Sequence, residues 1–92
     1  MIKSFKCLKT KALAEGLRVK QFVNIEAVAR RKLRQLQISS CLEDLRVPPG
    51  NRLEKLKGDR EGYYSIRIND QFRLCFYWTG LGAQDVEIVD YH

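Results

Sequence analysis

Residues 63–78 read YYSIRINDQFRLCFYW, and this stretch decides the fold because apolar and polar side chains alternate on both sides of residues 69–71. An alternation with a period of two residues predicts β-strands that each have one apolar face. In an antiparallel hairpin whose loop is residues 69–71, Ile66 lies opposite Leu74 and all the apolar side chains share one face. A two-residue loop would set Ile66 against Arg73 and mix the faces, so the pattern favours the longer, bulged turn.

The same register predicts the other face of this hairpin. There Tyr63 lies opposite Tyr77, Ser65 opposite Cys75, and Arg67 opposite Arg73. Two arginines directly across a strand pair repel each other, at a cost of up to about 1 kcal/mol, unless an anion lies beside them. Two anions are candidates: the carboxylate of Glu87, which emerges on the Arg73 side if its strand neighbours point into the core, and a bound phosphate. From this repulsion alone, replacing Arg73 by alanine should leave the fold as stable or slightly more stable.

Helical spacing dominates the first half of the chain. The clearest predicted helix covers residues 25–38, with Asn24 as its N-cap and Glu26 near the positive end of its dipole. Its apolar stripe consists of Ile25, Val28, Ala29, Leu33 and Leu36. Its opposite face carries Arg30, Arg31, Lys32 and Arg34, which form either a solvated surface or a contact for a phosphate backbone.

Shorter elements are predicted around this helix. The apolar opening at residues 2–5 favours an edge strand, and a short helix over residues 10–15 can end at Gly16. Residues 41–46 favour a short helix or turn before the Pro-Pro-Gly sequence at residues 48–50 breaks the chain.

The net positive charge of the chain comes from its first half. Eleven of the 17 Lys and Arg residues fall in residues 1–46 beside four acidic residues, whereas residues 47–92 carry six bases and seven acids. The resulting net charge of +6 favours nucleic acid or another polyanion as the partner.

The remaining composition predicts a cytoplasmic protein with no membrane segment. Cys7, Cys41 and Cys75 are dispersed and read as reduced thiols, and no apolar run suits a signal peptide or a membrane span. Ninety-two residues suit one domain, covering residues 1–92. A single histidine and scattered acids lack the spacing of metal ligands, so we expect neither a metal nor another cofactor.

The sequence closes on Asp90-Tyr91-His92, which includes the only histidine. An imidazole titrates near neutral pH and can transfer protons, and a carboxylate and a phenol stand beside it in the sequence. The competing interpretation is an ordinary frayed end, because terminal residues are usually poorly ordered.

Several segments, in order along the whole chain, resemble the HigB toxins of bacterial toxin–antitoxin systems. They are MIKSF at residues 1–5, LKGDREGYYSIR at residues 56–67, QFRLCF at residues 71–76 and VEIVDYH at residues 86–92. The segment PPGNRL at residues 48–53 is similar to the GraT-like subgroup in particular.

This resemblance implies a compact RelE-like α+β fold, with N-terminal helices packed on a twisted, mainly antiparallel sheet. It also implies a ribosome-dependent endoribonuclease that cuts mRNA. Its partner would be a HigA-type antitoxin with a helix-turn-helix domain, and only the complex with this antitoxin would bind operator DNA.

The resemblance places the catalytic positions at Lys57, Arg73, Asp90, Tyr91 and His92. Arg67 and the four cations of the predicted helix would contact RNA or the ribosome. Glu54 departs from the family pattern, because some relatives have a histidine at this position. Its role as a base or an orienting group is therefore open, and it could instead pair with Arg52 or Lys55.

These residue types suit RNA cleavage without a metal. The neighbouring 2′-OH, which only RNA supplies, attacks the phosphate while a base takes its proton and an acid protonates the leaving 5′ oxygen. Arg73 can hold two phosphate oxygens in a bidentate contact and Lys57 can add a point charge. His92 is the candidate acid or base, Tyr91 can stack on a base or bond a phosphate, and Asp90 can orient His92.

Two other functional classes share some of these features. A ParE-like toxin would have the same fold but would inhibit DNA gyrase by binding. The set of Lys57, Arg73 and the terminal Tyr-His pair argues against it. A noncatalytic RNA-binding module would also account for the positive charge.

Overall fold

The computed structural model describes residues 1–91, in which two helices and a sheet enclose one apolar core. The α-helices are α1 (Leu8–Ala14) and α2 (Glu26–Ile38), and the strands are β1 (Glu54–Lys55), β2 (Tyr63–Arg67), β3 (Phe72–Thr79) and β4 (Gly82–Asp90). Short 3₁₀ helices cover Lys20–Ile25, Leu42–Arg46, Pro49–Asn51 and Gly58–Arg60. Within residues 1–91, no helix has the length and apolar character that crossing a membrane requires.

The four strands form one antiparallel sheet in the order β1-β2-β3-β4. The predicted hairpin register is confirmed, because Tyr63 pairs with Tyr77, Ser65 with Cys75, Ile66 with Leu74, and Arg67 with Arg73. Its loop is residues 69–71, where the Asn69 side-chain oxygen accepts hydrogen bonds from the N–H groups of Gln71 at 2.9 Å and Phe72 at 2.7 Å. The register between β3 and β4 shifts between Cys75 and Tyr77.

The edge strand predicted at residues 2–5 does not form as a strand, although this segment lies along β4. Ile2 and Phe5 form isolated parallel bridges with Ala83 and Val86. The helix predicted over residues 10–15 is α1, which begins two residues earlier and ends one residue earlier than predicted. Gly16 follows its C-cap with a φ of +91°, a left-handed conformation that glycine adopts without strain, as expected for a residue that ends a helix.

The start of α2 differs from the prediction in one respect. Residues Lys20–Ile25 already form a 3₁₀ helix, and the N-cap position falls on Ile25, without a side-chain capping bond. Asn24 is therefore not the cap, because it lies inside a helical turn and not at the boundary. The expected place of Glu26 in the first turn is confirmed, and its carboxylate pairs with Arg30 at 3.0 Å.

The core lies between the helices and one face of the sheet. The helix stripe of Ile25, Ala29, Leu33 and Leu36 is buried as predicted, and Val28 is partly buried. Ile66, Leu74 and Ile88 supply the apolar face of the sheet, which we call the core face. The alternate residues Tyr63, Ser65, Arg67, Arg73, Cys75 and Tyr77 form the opposite side of the β2–β3 hairpin, which we call the polar face.

Candidate functional site

An open cleft of about 640 Å³ lies beside the polar face. It is lined by Gly50, Arg52, Glu54, Arg67, Asn69, Asp70, Arg73 and Tyr91. The cleft therefore brings together four of the site residues that the sequence predicts, each from a different strand or the end of one: Glu54, Arg67, Arg73 and Tyr91. Among the described residues, three arginines and two carboxylates line this cleft, so the arginines outnumber the carboxylates.

Arg73 is the most firmly held of these residues, with a side chain only 10% exposed. Its Nε donates to the Ser65 hydroxyl at 2.7 Å, and its Nη2 donates to the carbonyls of Arg52 at 2.6 Å and Ser65 at 3.2 Å. Nη1 lies 3.8 Å from a carboxylate oxygen of Glu54. Because Nε and Nη2 bond the protein, Nη1 is the end of the guanidinium that can receive an anion, and the predicted bidentate contact would require an existing bond to break.

Each arginine of the opposed pair has its own carboxylate, but neither carboxylate is Glu87. Arg67 pairs with Asp70 of the hairpin loop, and Arg73 pairs with Glu54. Glu87 lies opposite Cys75 and instead pairs with Lys6 at 3.7 Å. The prediction that Glu87 neutralises an arginine is therefore wrong, because the N-terminal segment brings Lys6 to it.

The partner of Glu54 also differs from the prediction of Arg52 or Lys55. Glu54 lies opposite Ser65 in the β1–β2 pairing, and Ser65 holds Arg73. The strand register therefore directs the Glu54 carboxylate toward Arg73.

The carbonyl of Arg52 is fixed by a buried network that the sequence did not reveal. Asn51 is fully buried and donates to the Gln35 side chain and the Leu45 carbonyl, each at 3.0 Å. Its own oxygen accepts from Lys32 of α2. Arg52 follows in a left-handed conformation with φ +45°, which turns the chain there. The helix α2 thus helps to position the loop that holds Arg73.

Tyr91 lies at the edge of the cleft and is 44% exposed. The guanidinium carbon of Arg73 is 6.0 Å from the centre of its ring, and its hydroxyl accepts a weak hydrogen bond from the Cys75 thiol at 3.9 Å. Burial raises the pKa of Tyr91, with a further contribution from Cys75. Since an unperturbed tyrosine has a pKa of about 10, the phenol is neutral at physiological pH and can donate a hydrogen bond.

Arg60 is a further basic residue near Cys75 and Tyr91, and the sequence analysis does not include it among the site residues. Burial raises the pKa of the Cys75 thiol, whereas the positive charges of Arg60 and Arg73 oppose that rise. The same two charges oppose the rise in the pKa of Tyr91. Arg60 belongs to the KGDR sequence at residues 57–60, from which the resemblance assigns only Lys57 to the site.

Lys57 and Asp90 lie outside the lining of this cleft. Lys57 lines a neighbouring groove of about 330 Å³ with Lys55, Leu56, Gly58 and Glu61. Asp90 ends β4 opposite Phe72, and its carboxylate accepts a hydrogen bond from the Gln71 side chain at 3.1 Å. The predicted role of His92 falls outside the described residues.

The four cations of α2 do not form one uniform surface. Arg30 folds back onto the protein and donates to the carbonyls of Leu13 at 3.2 Å and Leu17 at 2.8 Å. Arg31 and Arg34 are exposed. Burial lowers the pKa of Lys32, and the charges of Arg31 and Arg67 lower it further. Lys32 also donates to Asn51, whose chain neighbours Gly50 and Arg52 line the cleft, so this part of α2 adjoins the cleft.

Two further observations concern possible metal ligands and the cysteine side chains. Among residues 1–91, no group of three or more His, Cys, Asp or Glu side chains is arranged to hold a metal ion. Cys7, Cys41 and Cys75 are free thiols.

Comparison with known proteins identifies the family to which this chain belongs. Residues 14–92 match the family model of HigB-like toxins, which is described as the RelE-like toxin of the type II toxin–antitoxin system HigB. The chain therefore belongs to this family, and both the resemblance and the expected RelE-like α+β fold are confirmed. Its placement in the GraT-like subgroup stays a prediction.

Individual relatives match over part of their length. Toxin HigB-1 of Vibrio cholerae is 49% identical over 56 residues, which cover 61% of this chain and 59% of that protein. Endoribonuclease HigB of Proteus vulgaris is 42% identical over 41 residues, 45% of each chain. An uncharacterized protein of Haemophilus influenzae is 43% identical over 53 residues, 58% of this chain and 52% of that protein. The chain thus spans about half the length of the curated relatives it matches.

Proposed function

We propose that this chain is a ribosome-dependent endoribonuclease that cuts mRNA by attack of the neighbouring 2′-OH and so inhibits translation. The observation that carries the proposal is the fixed guanidinium of Arg73, which lies beside Tyr91 in a basic cleft. The name of the Proteus relative, Endoribonuclease HigB, supports the same reaction class.

In this mechanism Arg73 stabilises the charge that develops on the phosphorane. Its Nη1 end would meet a phosphate oxygen, while the bonds to Ser65 and to the Arg52 carbonyl prevent the side chain from reorienting. A donor that is fixed before the reaction stabilises a transition state without a reorganisation cost. Lys57, in the neighbouring groove, would add a second positive charge.

The end of β4 and the residues after it would handle orientation and protons. Tyr91 would stack on a base or donate to a phosphate oxygen as a neutral phenol. His92 is the proposed acid or base, because an imidazole titrates near neutral pH, and Asp90 would orient it. No step of this scheme needs a metal, since the 2′-OH is the nucleophile and side chains carry the protons.

Cations outside the cleft would bind the ribosome. Arg31 and Arg34 are exposed on α2, and Lys32 links that helix to the cleft through Asn51 and its proximity to Arg67. We expect Arg30 to contribute less, because backbone carbonyls and Glu26 already engage its guanidinium.

A HigA-type antitoxin with a helix-turn-helix domain is the proposed partner. It would neutralise the toxin and carry the complex to operator DNA. The type II toxin–antitoxin family to which the chain belongs supports an antitoxin partner of this kind.

The test is cleavage of mRNA on translating ribosomes by the wild type, Arg73→Ala and Arg46→Ala. Arg46→Ala is the matched control, because it also removes one arginine, and Arg46 is exposed and pairs with Glu43 on a separate 3₁₀ helix. We expect cleavage to fall by about 100-fold or more in Arg73→Ala, as for loss of a donor to a developing oxyanion, and to be unchanged in Arg46→Ala. The products should end in 2′,3′-cyclic phosphates.

Other outcomes would favour the competing classes. Products with 5′-phosphate and 3′-hydroxyl ends would indicate metal-assisted hydrolysis and contradict the mechanism. Growth arrest with intact mRNA and inhibited gyrase would indicate a ParE-like toxin. Binding of RNA without cleavage would indicate a noncatalytic module.

A further inference from the structure

The contact between Glu54 and Arg73 occupies the one end of the guanidinium that faces the cleft. We propose that Glu54 is a built-in competitor for the RNA phosphate, which must displace its carboxylate from Arg73 before the phosphate can bind. This inference rests on the proposed function of the cleft, and it assigns Glu54 the role of attenuating substrate binding.

The two partners of this ion pair differ in their freedom to move. The Arg73 side chain is 10% exposed and bonds Ser65 and the Arg52 carbonyl, whereas the Glu54 side chain is 58% exposed. Their 3.8 Å separation is longer than a hydrogen bond, and ion pairs with an exposed partner are weak. An arriving phosphate would therefore move Glu54 and leave Arg73 in place.

The position of Glu54 follows from the sheet and not from a chance side-chain rotation. Glu54 is one of the two residues of β1, and it pairs directly with Ser65, the residue that holds the Arg73 Nε. A side chain at this position points to the same side of the sheet as Ser65, so a carboxylate here must lie near the guanidinium.

The second carboxylate of the cleft cannot take this role. Asp70 is fully exposed in the hairpin loop and pairs with Arg67 through a contact three residues along the chain. Removing the charge of Glu54 would leave three arginines and one carboxylate, that of Asp70, among the described residues of the lining. The attraction for a phosphate at Nη1 would therefore rise.

The experiment compares Glu54→Gln with Glu43→Gln, which removes the same charge from an exposed glutamate on the Leu42–Arg46 helix. Inorganic phosphate is titrated into each protein, and the NMR signal of the Arg73 Nε–H group reports binding. Glu54→Gln should lower the phosphate Kd by about threefold to tenfold, the size expected when one partly exposed charge is removed, and Glu43→Gln should not.

A second measurement uses a short RNA that carries 2′-O-methyl groups throughout and therefore has no nucleophile. Glu54→Gln should bind this RNA more tightly by a similar factor, and the gain should shrink when Arg73→Lys is also present. Glu54→Asp, which keeps the charge, should stay closer to the wild type.

Each outcome decides one of the two proposals. If Glu54→Gln binds phosphate no better than Glu43→Gln, or binds it more weakly, Glu54 is not a competitor. If it binds phosphate more tightly while neither protein cuts mRNA on ribosomes, the competitor role stands and the proposed nuclease function fails. Cleavage by the wild type with equal phosphate affinities would leave the nuclease and overturn the role of Glu54.

Discussion

The two faces of the β2–β3 hairpin are built from the same strands but are held in different ways. On the core face, Ile66 and Leu74 are fully buried against helices, where removal of apolar surface from water stabilises the fold. On the polar face, Ser65 is also fully buried, and Arg73 is 9% exposed. Hydrogen bonds join Ser65 and Arg73, so burial on the polar face fixes the guanidinium of Arg73 and does not add to the apolar core.

The comparison shows how so small a chain can separate stability from chemistry. Side chains of a strand alternate between the two faces, so neighbouring residues can serve different purposes. A substitution on the core face should mainly change the free energy of unfolding, and one on the polar face should mainly change what the cleft binds.

The largest expected effect is on the core face. Leu74→Ala should lower the free energy of unfolding by about 2–5 kcal/mol, because it leaves a cavity under a fully buried side chain. Denaturant unfolding measures this loss. Ile38→Ala is the control, since Ile38 is 74% exposed and should cost far less. Similar losses in both variants would contradict the assignment of the core face.

A smaller effect is expected from Arg73→Ala. The sequence alone suggested that this change would leave the fold as stable or slightly more stable, but the bonds to Ser65 and Arg52 reverse that expectation. Without the guanidinium, the buried Ser65 hydroxyl loses a partner, and we expect a loss of about 1–3 kcal/mol.

The opposed arginine is the matched control for this measurement. Arg67 pairs only with a fully exposed Asp70 among the contacts described, so Arg67→Ala should change the free energy of unfolding by less than about 1 kcal/mol. If Arg67→Ala lowers the free energy of unfolding as much as Arg73→Ala does, the hydrogen bonds of Arg73 do not stabilise the fold more than the exposed ion pair of Arg67.

The features that the sequence predicted are those with a regular period. The alternation in residues 63–78 was enough to set Arg67 opposite Arg73, and the helical stripe was enough to bury Leu33 and Leu36. A different strand register or a different orientation of the helix would expose several apolar side chains. The apolar pattern therefore strongly restricts both the strand pairing and the buried face of the helix.

The features that the sequence did not predict depend on irregular backbone. The Arg52 carbonyl reaches Arg73 only because Asn51 is anchored to α2 and Arg52 is left-handed. The sequence offers Glu87 as one candidate anion for the arginines, because nothing in it indicates that Lys6 lies beside Glu87. The roles of Lys57, Asp90, Tyr91 and His92 stay predictions.

The smallest expected effect concerns Cys75, which lies on the polar face but is buried like a residue of the core face. Cys75 is only 3% exposed, and burial raises the pKa of its thiol. An unfolded thiol loses its proton near pH 8.5, whereas the folded one keeps it to a higher pH. Over that interval the unfolded state binds fewer protons, so stability falls as the pH rises.

Cys75→Ala should therefore reduce the loss of stability as the pH rises above about 8.5, by at most about 1.4 kcal/mol per pH unit, the limit for one proton. Denaturant unfolding at several pH values measures the slope, and Cys41→Ala, at an exposed thiol, is the control. Well below pH 8.5 the Cys75 thiol is protonated in both the folded and the unfolded state, so the wild type and Cys75→Ala should have the same slope there. The contradicting result would be the same slope of unfolding free energy against pH for the wild type and Cys75→Ala above pH 8.5. The thiol would then not lie in a low-dielectric site. Water would reach the polar face beneath Tyr91 more freely than the 3.9 Å contact between Tyr91 and Cys75 indicates.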